Sequence, residues 1–528
     1  MIGFKEKGSN VKKLITLSLV SVFVAAQAGA APLIDRGLMP FASGQGGVRK
    51  VVVELESMND ASIQLPHRYN RYEVLGFLKA RNARSVRALG QYVQSHSKVS
   101  DIRYLGANWI SDSVTLAVTP EGLKILAHAP GVRKVYDNRA VNYDHPVRRG
   151  NILTHNFSDG TATANPYDYA EMGLDKVRTE FPKIDGSGVV IGSVDTGVDG
   201  KHPALQGKIV TFYDGKLKKV GPAVDYDSHG THTSGTMVGG DGVSVKIGVA
   251  PGAKLIVAGA LQGYDEMLKG MEFMLDPGLN PKVLPIAVNN SWNCGGAPDV
   301  EVFYKAISAW EAAGILPVFS AGNSGPGAGT ITPPHEHPSV IATGATSEDG
   351  KIADFSSRGP GQFHGQPTNK PDLTAPGDNI LSSVPGGKFA QMSGTSMATP
   401  HVTGAVALLM QASKNTLNPA QIRQILSSTL DPRDPNGAPG KPGVWNPVYG
   451  LGKINIYTAL KTVIKVQSER FLHLDNAPVN LMSSILESSE DLLVRDVITA
   501  NQENLMSASE FESPIQFGSD GWVSGDQI

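Results

Sequence analysis

The chain has 528 residues, 41% of them hydrophobic, and a formal net charge of -2. This length exceeds what one ordinary domain requires, and the apolar fraction is enough for a large core. The nearly balanced charge gives no reason to expect nucleic acid or an anionic membrane as a partner.

A basic segment followed by a short apolar run opens the sequence. Lysines within residues 5–13 precede the apolar residues 14–26, and small residues follow up to Ala30. This arrangement is typical of a secretory signal peptide, and the run is too short to span a bilayer. We therefore expect residues 1–30 to be removed, and the product to be secreted, extracellular or periplasmic, without a stable membrane span.

Residues 31–144 show strand and helix patterns in the order β-α-β-β-α-β. The predicted segments are 50–54, 72–95, 102–108, 113–118, 121–128 and 132–136. This order predicts a small ferredoxin-like α+β domain. It contains no convincing catalytic constellation, which favours a separate binding or folding module. Residues 145–165, rich in turn-forming residues, are predicted to be an exposed linker open to proteolysis.

Apolar runs and helical patterns then alternate. Strands are predicted at 188–194, 254–260, 283–289, 315–319 and 339–343, and helices at 228–238, 265–275 and 300–313. Alternation of this kind predicts an α/β fold with a mostly parallel sheet and helices on both faces.

Polar residues stand at strand ends and helix starts along this region. Asp195 and Asn323 each follow a predicted strand, and His229 opens a predicted helix. Pro400 is tolerated only near a first turn, so another helix should begin close to Ser396. A hydroxyl at a helix N-terminus lies where backbone N–H groups and the helix dipole favour developing negative charge.

These residue types supply the parts of a serine nucleophile mechanism. The hydroxyl of Ser396 needs a base such as His229, and the base needs an orienting carboxylate such as Asp195. The amide of Asn323 could donate to an oxyanion. Taken singly, Asp195 and Asn323 are also ordinary turn residues, and Ser396 an ordinary helix cap.

The sequence offers two other candidate chemistries. His229 and His232 could form a metal pair, but no Glu or Cys lies nearby to complete a zinc site. Cys294, the only cysteine, excludes an intrachain disulfide and is interpreted as a small turn residue rather than a nucleophile.

Several motifs in order resemble the subtilisin-like serine proteases, or subtilases. The blocks are Val194-Asp-Thr-Gly-Val198, His229-Gly-Thr-His-Thr, Ser320-Ala-Gly-Asn323, Phe355-Ser-Ser-Arg-Gly-Pro360, Lys370-Pro-Asp-Leu-Thr-Ala-Pro-Gly377 and Gly394-Thr-Ser-Met-Ala-Thr-Pro-His401. The resemblance covers residues 166–465 and implies a three-layer subtilisin-like peptidase domain. It implies that Asp195, His229 and Ser396 are catalytic and that Asn323 binds the oxyanion. The related sedolisins use Glu as base, which this chain lacks at position 229.

The resemblance also implies a zymogen that acts on polypeptide substrates. Residues 31–144 resemble the family's inhibitory propeptide, the protein's own partner, which the protease would remove by itself. Asn289-Asn-Ser-Trp292 resembles bacillopeptidase F-type members and implies that Ser291, Trp292 and Asn293 bind substrate. Thr332 stands where many members carry Gly at the floor of the primary specificity pocket. We therefore expect small or medium apolar residues before the scissile bond.

Some features leave alternatives open. Ala204 replaces an Asp that serves many relatives as a calcium ligand, so structural calcium remains unassigned, and no cofactor is expected for catalysis. Residues 466–528 hold eleven Asp and Glu and form an acidic extension. The alternative function is an inactive exported binding protein on a subtilase scaffold. Whether the protease degrades proteins broadly or processes few substrates is also open.

Overall fold

The computed structural model describes residues 33–44, 46–56, 71–98, 100–138, 167–240, 246–279, 283–294 and 300–475, with only the backbone for 468–475. The predicted signal peptide and the predicted linker (145–165) lie outside the described residues, as does the acidic extension beyond residue 475. Two parts of the chain are distinguished below: the N-terminal module, residues 33–138, and the main domain, residues 167–475.

The helices and strands have the following bounds. The module contains β1 (Leu33–Ile34), α1 (Met39–Ala42), β2 (Arg49–Leu55), α2 (Arg71–His96), β3 (Ile102–Asn108), β4 (Ser113–Val118), α3 (Pro120–Leu126) and β5 (Val132–Asp137). The main domain begins with α4 (Tyr167–Glu171), α5 (Leu174–Glu180), β6 (Val190–Asp195), β7 (Ile209–Asp214), β8 (Lys219–Val220), α6 (His229–Val238), β9 (Lys254–Gly259), α7 (Tyr264–Leu275) and β10 (Ala287–Asn290). It continues with α8 (Glu301–Ala312), β11 (Leu316–Ser320), β12 (Ile341–Thr346), β13 (Gly361–Phe363), β14 (Gln366–Thr368), β15 (Leu373–Pro376), β16 (Ile380–Val384), β17 (Lys388–Met392), α9 (Thr395–Ala412), α10 (Pro419–Ser428) and α11 (Ile456–Asp475).

The module is built on a sheet with the strand order β1-β5-β2-β4-β3. Its strand β2 is antiparallel to both β4 and β5. Successive side chains of a strand point to opposite faces, and β2 buries both. Val51, Val53 and Leu55 belong to the module's own core, whereas Val52 belongs to a core shared with the main domain. The continuous apolar run in β2 therefore reflects burial on two sides.

An eight-stranded sheet with the order β15-β12-β11-β10-β6-β9-β7-β8 forms the centre of the main domain. Its neighbouring strands are parallel except for the pair β7–β8. The predicted α/β class is therefore confirmed. Strand β6 lies between β10 and β9, so its carboxyl end is in the middle of one sheet edge, where open α/β sheets place their ligands.

The two faces of this sheet carry separate apolar cores. Leu255 and Val257 of β9 pack in the core that contains α9, while Ile256 and Ala258 pack against α7 and α8. The second core also includes Val52 and other apolar side chains of the module. The module therefore packs on the outer side of the α7–α8 layer.

Charged contacts border this apolar contact. The ammonium of Lys50 lies 2.5 Å from a carboxylate oxygen of Asp265 and 2.7 Å from one of Glu266. The ammonium of Lys305 lies 2.8 Å from the carboxylate of Glu54. Lys50, Val52 and Glu54 alternate along β2, so one face of this strand supplies both the apolar and the charged contacts.

Some predicted element bounds were wrong. The strand predicted at 283–289 pairs only as Ala287–Asn290, because Pro285 has no N–H for the ladder. The helix predicted at 228–238 begins one residue later, at His229. Residue 465, the predicted end of the peptidase domain, lies within α11, and this domain boundary stays a prediction. Within the described residues, no helix combines the length and apolarity needed to cross a membrane.

Candidate active site

Asp195 is the last residue of the central strand β6 and is fully buried. One carboxylate oxygen accepts hydrogen bonds from His229 Nδ1 at 2.7 Å and from the backbone N–H of Thr196 at 2.7 Å. The other accepts from the hydroxyl of Thr233 at 3.0 Å. A carboxylate held by these donors has a fixed orientation, and its charge faces the imidazole.

His229 begins α6 and is fully buried. Because an ionised carboxylate only accepts, His229 Nδ1 carries a proton, and Nε2 of the neutral ring is left as a basic nitrogen. Burial alone would lower the pKa of His229, but the charge of Asp195 and its hydrogen bond raise it above the ordinary value, with smaller contributions from Asp225 and Asp227. The geometry thus gives a base in a defined tautomer.

His232 lies one turn further along α6 and faces elsewhere. Its Nε2 lies 3.0 Å from the carbonyl oxygen of Ile380 and 3.1 Å from that of Ala390, both of which can only accept. Burial, together with the nearby His229, lowers the pKa of His232 to about 3. Among the described residues there is no group of three His, Cys, Asp or Glu side chains suited to a metal ion. His232 is therefore a structural donor in this fold.

Helix α9 begins at Thr395 and carries Ser396 in its first turn and Pro400 in its interior. Pro400 has no N–H, so it cannot donate to the carbonyl of Ser396 as the residue four positions later normally would. The hydroxyl of Ser291 donates to that carbonyl instead, at 3.0 Å. The side chain of Asn289 supports Ser291 with a 3.1 Å hydrogen bond. The segment after β10 thus compensates for the proline.

The hydroxyl of Ser396 donates to the carbonyl of Ser291 at 3.3 Å. Helices α6 and α9 pack against each other, so His229 and Ser396 lie in the first turns of two adjoining helices. The carboxyl end of β6 supplies Asp195 to the same region through its bond to His229. The structure therefore bonds Asp195 to His229 and packs the helix of His229 against the helix of Ser396.

Asn323 follows β11 and is half-buried. Its Oδ1 accepts from the backbone N–H of Thr395 at 2.8 Å and from the hydroxyl of Thr395 at 2.9 Å. These contacts identify the oxygen end of the amide and direct its Nδ2 donors away from the backbone of Thr395. An amide donor fixed beside the first turn of α9 is suited to stabilise negative charge there.

The predicted substrate-binding residues occupy different surroundings. Ser291 is buried and hydrogen-bonds to Ser396 in the first turn of α9. Asn293 is also buried, and Trp292 is 1% exposed. The indole of Trp292 packs against Phe319 with ring centroids 5.1 Å apart. Its side chain is therefore part of the core, and only its backbone can face a substrate. Thr332 borders a cavity of about 620 Å³ that does not include these three residues.

Cys294 is also buried in the core next to α7 and α8. Burial raises the pKa of its thiol well above the ordinary value. A thiol needs a lowered pKa to act as a nucleophile. The interpretation of Cys294 as a structural residue is consistent with this environment.

Two threonines with clear roles were not predicted. Thr233 lies four residues after His229 and binds the same carboxylate, and Thr395 precedes Ser396 and orients Asn323. The spacing of His229 and Thr233 places them on one face of α6, so the first of these was visible in the sequence. The second depends on β11 and α9 meeting in space.

Ala204 occupies the position at which many members of the family carry a calcium ligand. Ala204 is buried and offers no carboxylate, and its carbonyl accepts from the N–H of Gly240 at 2.7 Å. The ammonium of Lys208 hydrogen-bonds to the carbonyl of Pro251 and lies beside Gly240. A cation beside this segment opposes binding of a second cation, so the described residues here do not fit calcium.

Comparisons with known proteins agree on a single family. Residues 186–452, just over half of the chain, match the pattern of the subtilase family. Bacillopeptidase F of Bacillus subtilis (strain 168) is 33% identical over 429 residues, which cover 74% of this chain and 29% of that protein. Serine protease AprX of the same strain is 31% identical over 376 residues, covering 64% of this chain and 76% of that protein.

An intracellular serine protease of Paenibacillus polymyxa is 35% identical over 261 residues, covering 46% of this chain and 75% of that protein. The chain thus spans less than a third of bacillopeptidase F but most of the two shorter relatives. The alignment with bacillopeptidase F covers 74% of this chain, which is more residues than the segment 167–528 contains. That similarity therefore extends into residues before the main domain.

Proposed function

The chain belongs to the subtilase family of serine peptidases, and on that premise we propose that it is a secreted serine endopeptidase with Asp195, His229 and Ser396 as its catalytic triad. The observation that carries this proposal is the buried 2.7 Å bond between Asp195 and His229 at the start of a helix that packs against the helix of Ser396. Its substrates are polypeptides.

The proposed reaction begins with the hydroxyl of Ser396 turning from the carbonyl of Ser291 toward His229. His229 Nε2 accepts the hydroxyl proton while the serine oxygen attacks the peptide carbonyl. The imidazolium formed is stabilised by Asp195, and it returns the proton to the leaving amine. Water then gives a proton to His229 Nε2 and attacks the acyl carbon. The ester bond to Ser396 breaks, His229 returns the proton to the serine oxygen, and the acyl group leaves as a carboxylic acid.

The oxyanion of the tetrahedral intermediate is stabilised by donors from two elements. One is the Nδ2 amide of Asn323, and the other is the backbone N–H of Ser396 in the first turn of α9. The helix dipole of α9 adds positive potential at the same place. Nucleophile, base, carboxylate and donors all come from this chain, so the proposed reaction requires no cofactor.

The N-terminal module acts in this proposal as a ferredoxin-like inhibitory propeptide. Its β-α-β-β-α-β succession and its packing on the α7–α8 layer support that role. The linker after β5 is the proposed site of self-processing. The basic and apolar N-terminal segment supports export.

The proposal is tested by labelling the purified protein with a serine-directed fluorophosphonate. Wild type should be labelled, Ser396→Ala should not, and Ser393→Ala should be labelled like wild type because that serine is outside the mechanism. A folded wild type that neither reacts with the probe nor hydrolyses casein would instead be the inactive binding protein.

A further inference from the structure

The segment that follows Thr332 is anchored by consecutive side chains. His335 Nε2 lies 2.9 Å from the carbonyl oxygen of Trp292, in the segment after β10. The next two side chains, Glu336 and His337, hydrogen-bond instead to side chains of α8. Neighbouring residues of one segment thus attach it to two separate parts of the main domain.

His335 is fully buried. A carbonyl oxygen can only accept, so His335 Nε2 carries the proton and donates to Trp292. The backbone N–H of Cys294 donates back to the carbonyl of Pro333 at 3.4 Å. These two hydrogen bonds join the segment of Thr332 to the segment of Ser291 and Trp292. The backbone N–H of His335 also donates to the carbonyl of Thr332 at 3.1 Å, so His335 is tied directly to that residue.

The other side of the Thr332 segment is less filled. A cavity of about 620 Å³ borders Ile331, Thr332 and Pro333, together with Tyr304, and Glu54 and Arg133 of the module close it. Neither Trp292 nor His335 lines this cavity. The cavity therefore borders the Thr332 segment without reaching the groups that bond it to Trp292, and the segment has room to move into it. Close-packed interiors normally prevent such movement.

We propose that His335 is a positioning residue that holds Thr332 away from the cavity and thereby sets the depth of the primary specificity pocket. This rests on the proposed endopeptidase function, in which Thr332 is the pocket floor. With His335 in place the pocket is shallow and accepts small or medium apolar residues. Without its bond to Trp292, the floor moves toward the cavity and the pocket admits large aromatic residues.

The test compares two peptide anilides that differ only in the residue before the scissile bond, Ala or Phe. We expect His335→Ala to shift the ratio of kcat/KM values toward Phe by roughly tenfold or more, the effect of changing one or two methylene-sized contacts in a pocket. The shift should come mainly from KM, since the triad is untouched. His335→Leu keeps the buried volume without the hydrogen bond and should shift the ratio in the same direction.

Two further variants separate positioning from general stability. His335→Gln retains a donor that can reach Trp292 and should keep the wild-type ratio. His337→Ala removes a buried neighbouring imidazole on the α8 side and should also keep it, whatever it does to the melting temperature. An unchanged ratio in folded His335→Ala or His335→Leu would overturn the proposal, as would equal shifts in His335→Ala and His337→Ala. If wild type cleaves neither anilide nor casein, the endopeptidase proposal itself fails.

Discussion

The active site and the contact between module and main domain use polar groups in different ways. Asp195 and His229 are fully buried, and their partners all belong to the main domain. Across the module contact, Glu54 is buried but Lys305 is partly exposed, and the two belong to different parts of the chain. The first arrangement is a fixed network inside one core, whereas the second consists of ion pairs that border an apolar contact between two parts of the chain.

This difference has a physical consequence. Charges buried within one core are hardly screened by salt, and their geometry survives only if the fold survives. Charges that face each other across a contact can be rehydrated when the bodies separate. We therefore expect salt to affect the contact between the module and the main domain more than the active site.

The largest effect is expected when the nucleophile alone is removed. Ser396→Ala should lose roughly 10⁵- to 10⁶-fold in kcat, because no other group can form the acyl intermediate. The variant should also accumulate as a precursor that keeps the module, whereas wild type should begin between about residues 144 and 166. Mass spectrometry of both proteins checks this.

Active wild type added in trans should trim the Ser396→Ala precursor if the linker is accessible. Purified Ser396→Ala that matures at the wild-type position without another protease would show that this serine does not process the chain. Such a result would not affect the contact between the module and the main domain, but it would show that removal of the module does not depend on this active site.

A smaller loss is expected from Asn323→Ala. Removing one oxyanion donor typically costs about 10²- to 10³-fold in kcat. KM should change little, since the bond strengthens only in the transition state. Steady-state kinetics on one anilide measure both values, and a thermal melt provides the control for folding. Near-full turnover would exclude Asn323 from the reaction.

The module contact should respond to Lys305→Ala. The carboxylate of Glu54 would remain buried, with Arg133 at 3.8 Å as its nearest remaining counter-charge. We expect the dissociation constant of the module to rise roughly 10- to 100-fold. The measurement uses Ser396→Ala precursor whose linker has been cut by wild type, followed by gel filtration over a series of concentrations.

Lys124→Ala is the matched control, because Lys124 pairs with Glu121 on the exposed surface of the module. It should leave the dissociation constant unchanged. Raising the salt concentration should weaken module binding and leave the kcat of mature enzyme nearly constant. Equal salt sensitivity of both quantities would contradict the distinction between the two regions.

The smallest effect concerns pH. His229 acts as a base only when neutral, and its pKa is raised, so kcat/KM should fall as pH drops through a value above the ordinary 6.5. Asp227 is exposed and contributes a little to that raise, so Asp227→Asn should move the acidic limb slightly to lower pH. Asp349→Asn, which changes an exposed charge paired with Lys351, should not move it. A shift to higher pH in Asp227→Asn would contradict the assignment.

Much of the fold could be predicted from local sequence. The alternation of apolar runs and helical patterns depends on residues close together in the chain, so it gave the α/β class and most strands of the main sheet. Short strands such as β8 and the hairpins β13–β14 and β16–β17 escaped prediction, since they contain few residues and little periodicity. The identity of Asp195, His229, Asn323 and Ser396 as candidates likewise came from motifs.

Only the tertiary structure decided how these residues are held. The sequence shows that Pro400 lacks an N–H, but that Ser291 donates to the freed carbonyl of Ser396 depends on β10 lying beside α9. In the same way, the continuous apolar run in β2 indicates two buried faces, but not that one of them packs on the main domain. Local sequence sets which groups need partners, and contacts between residues distant in the chain determine which partners they find.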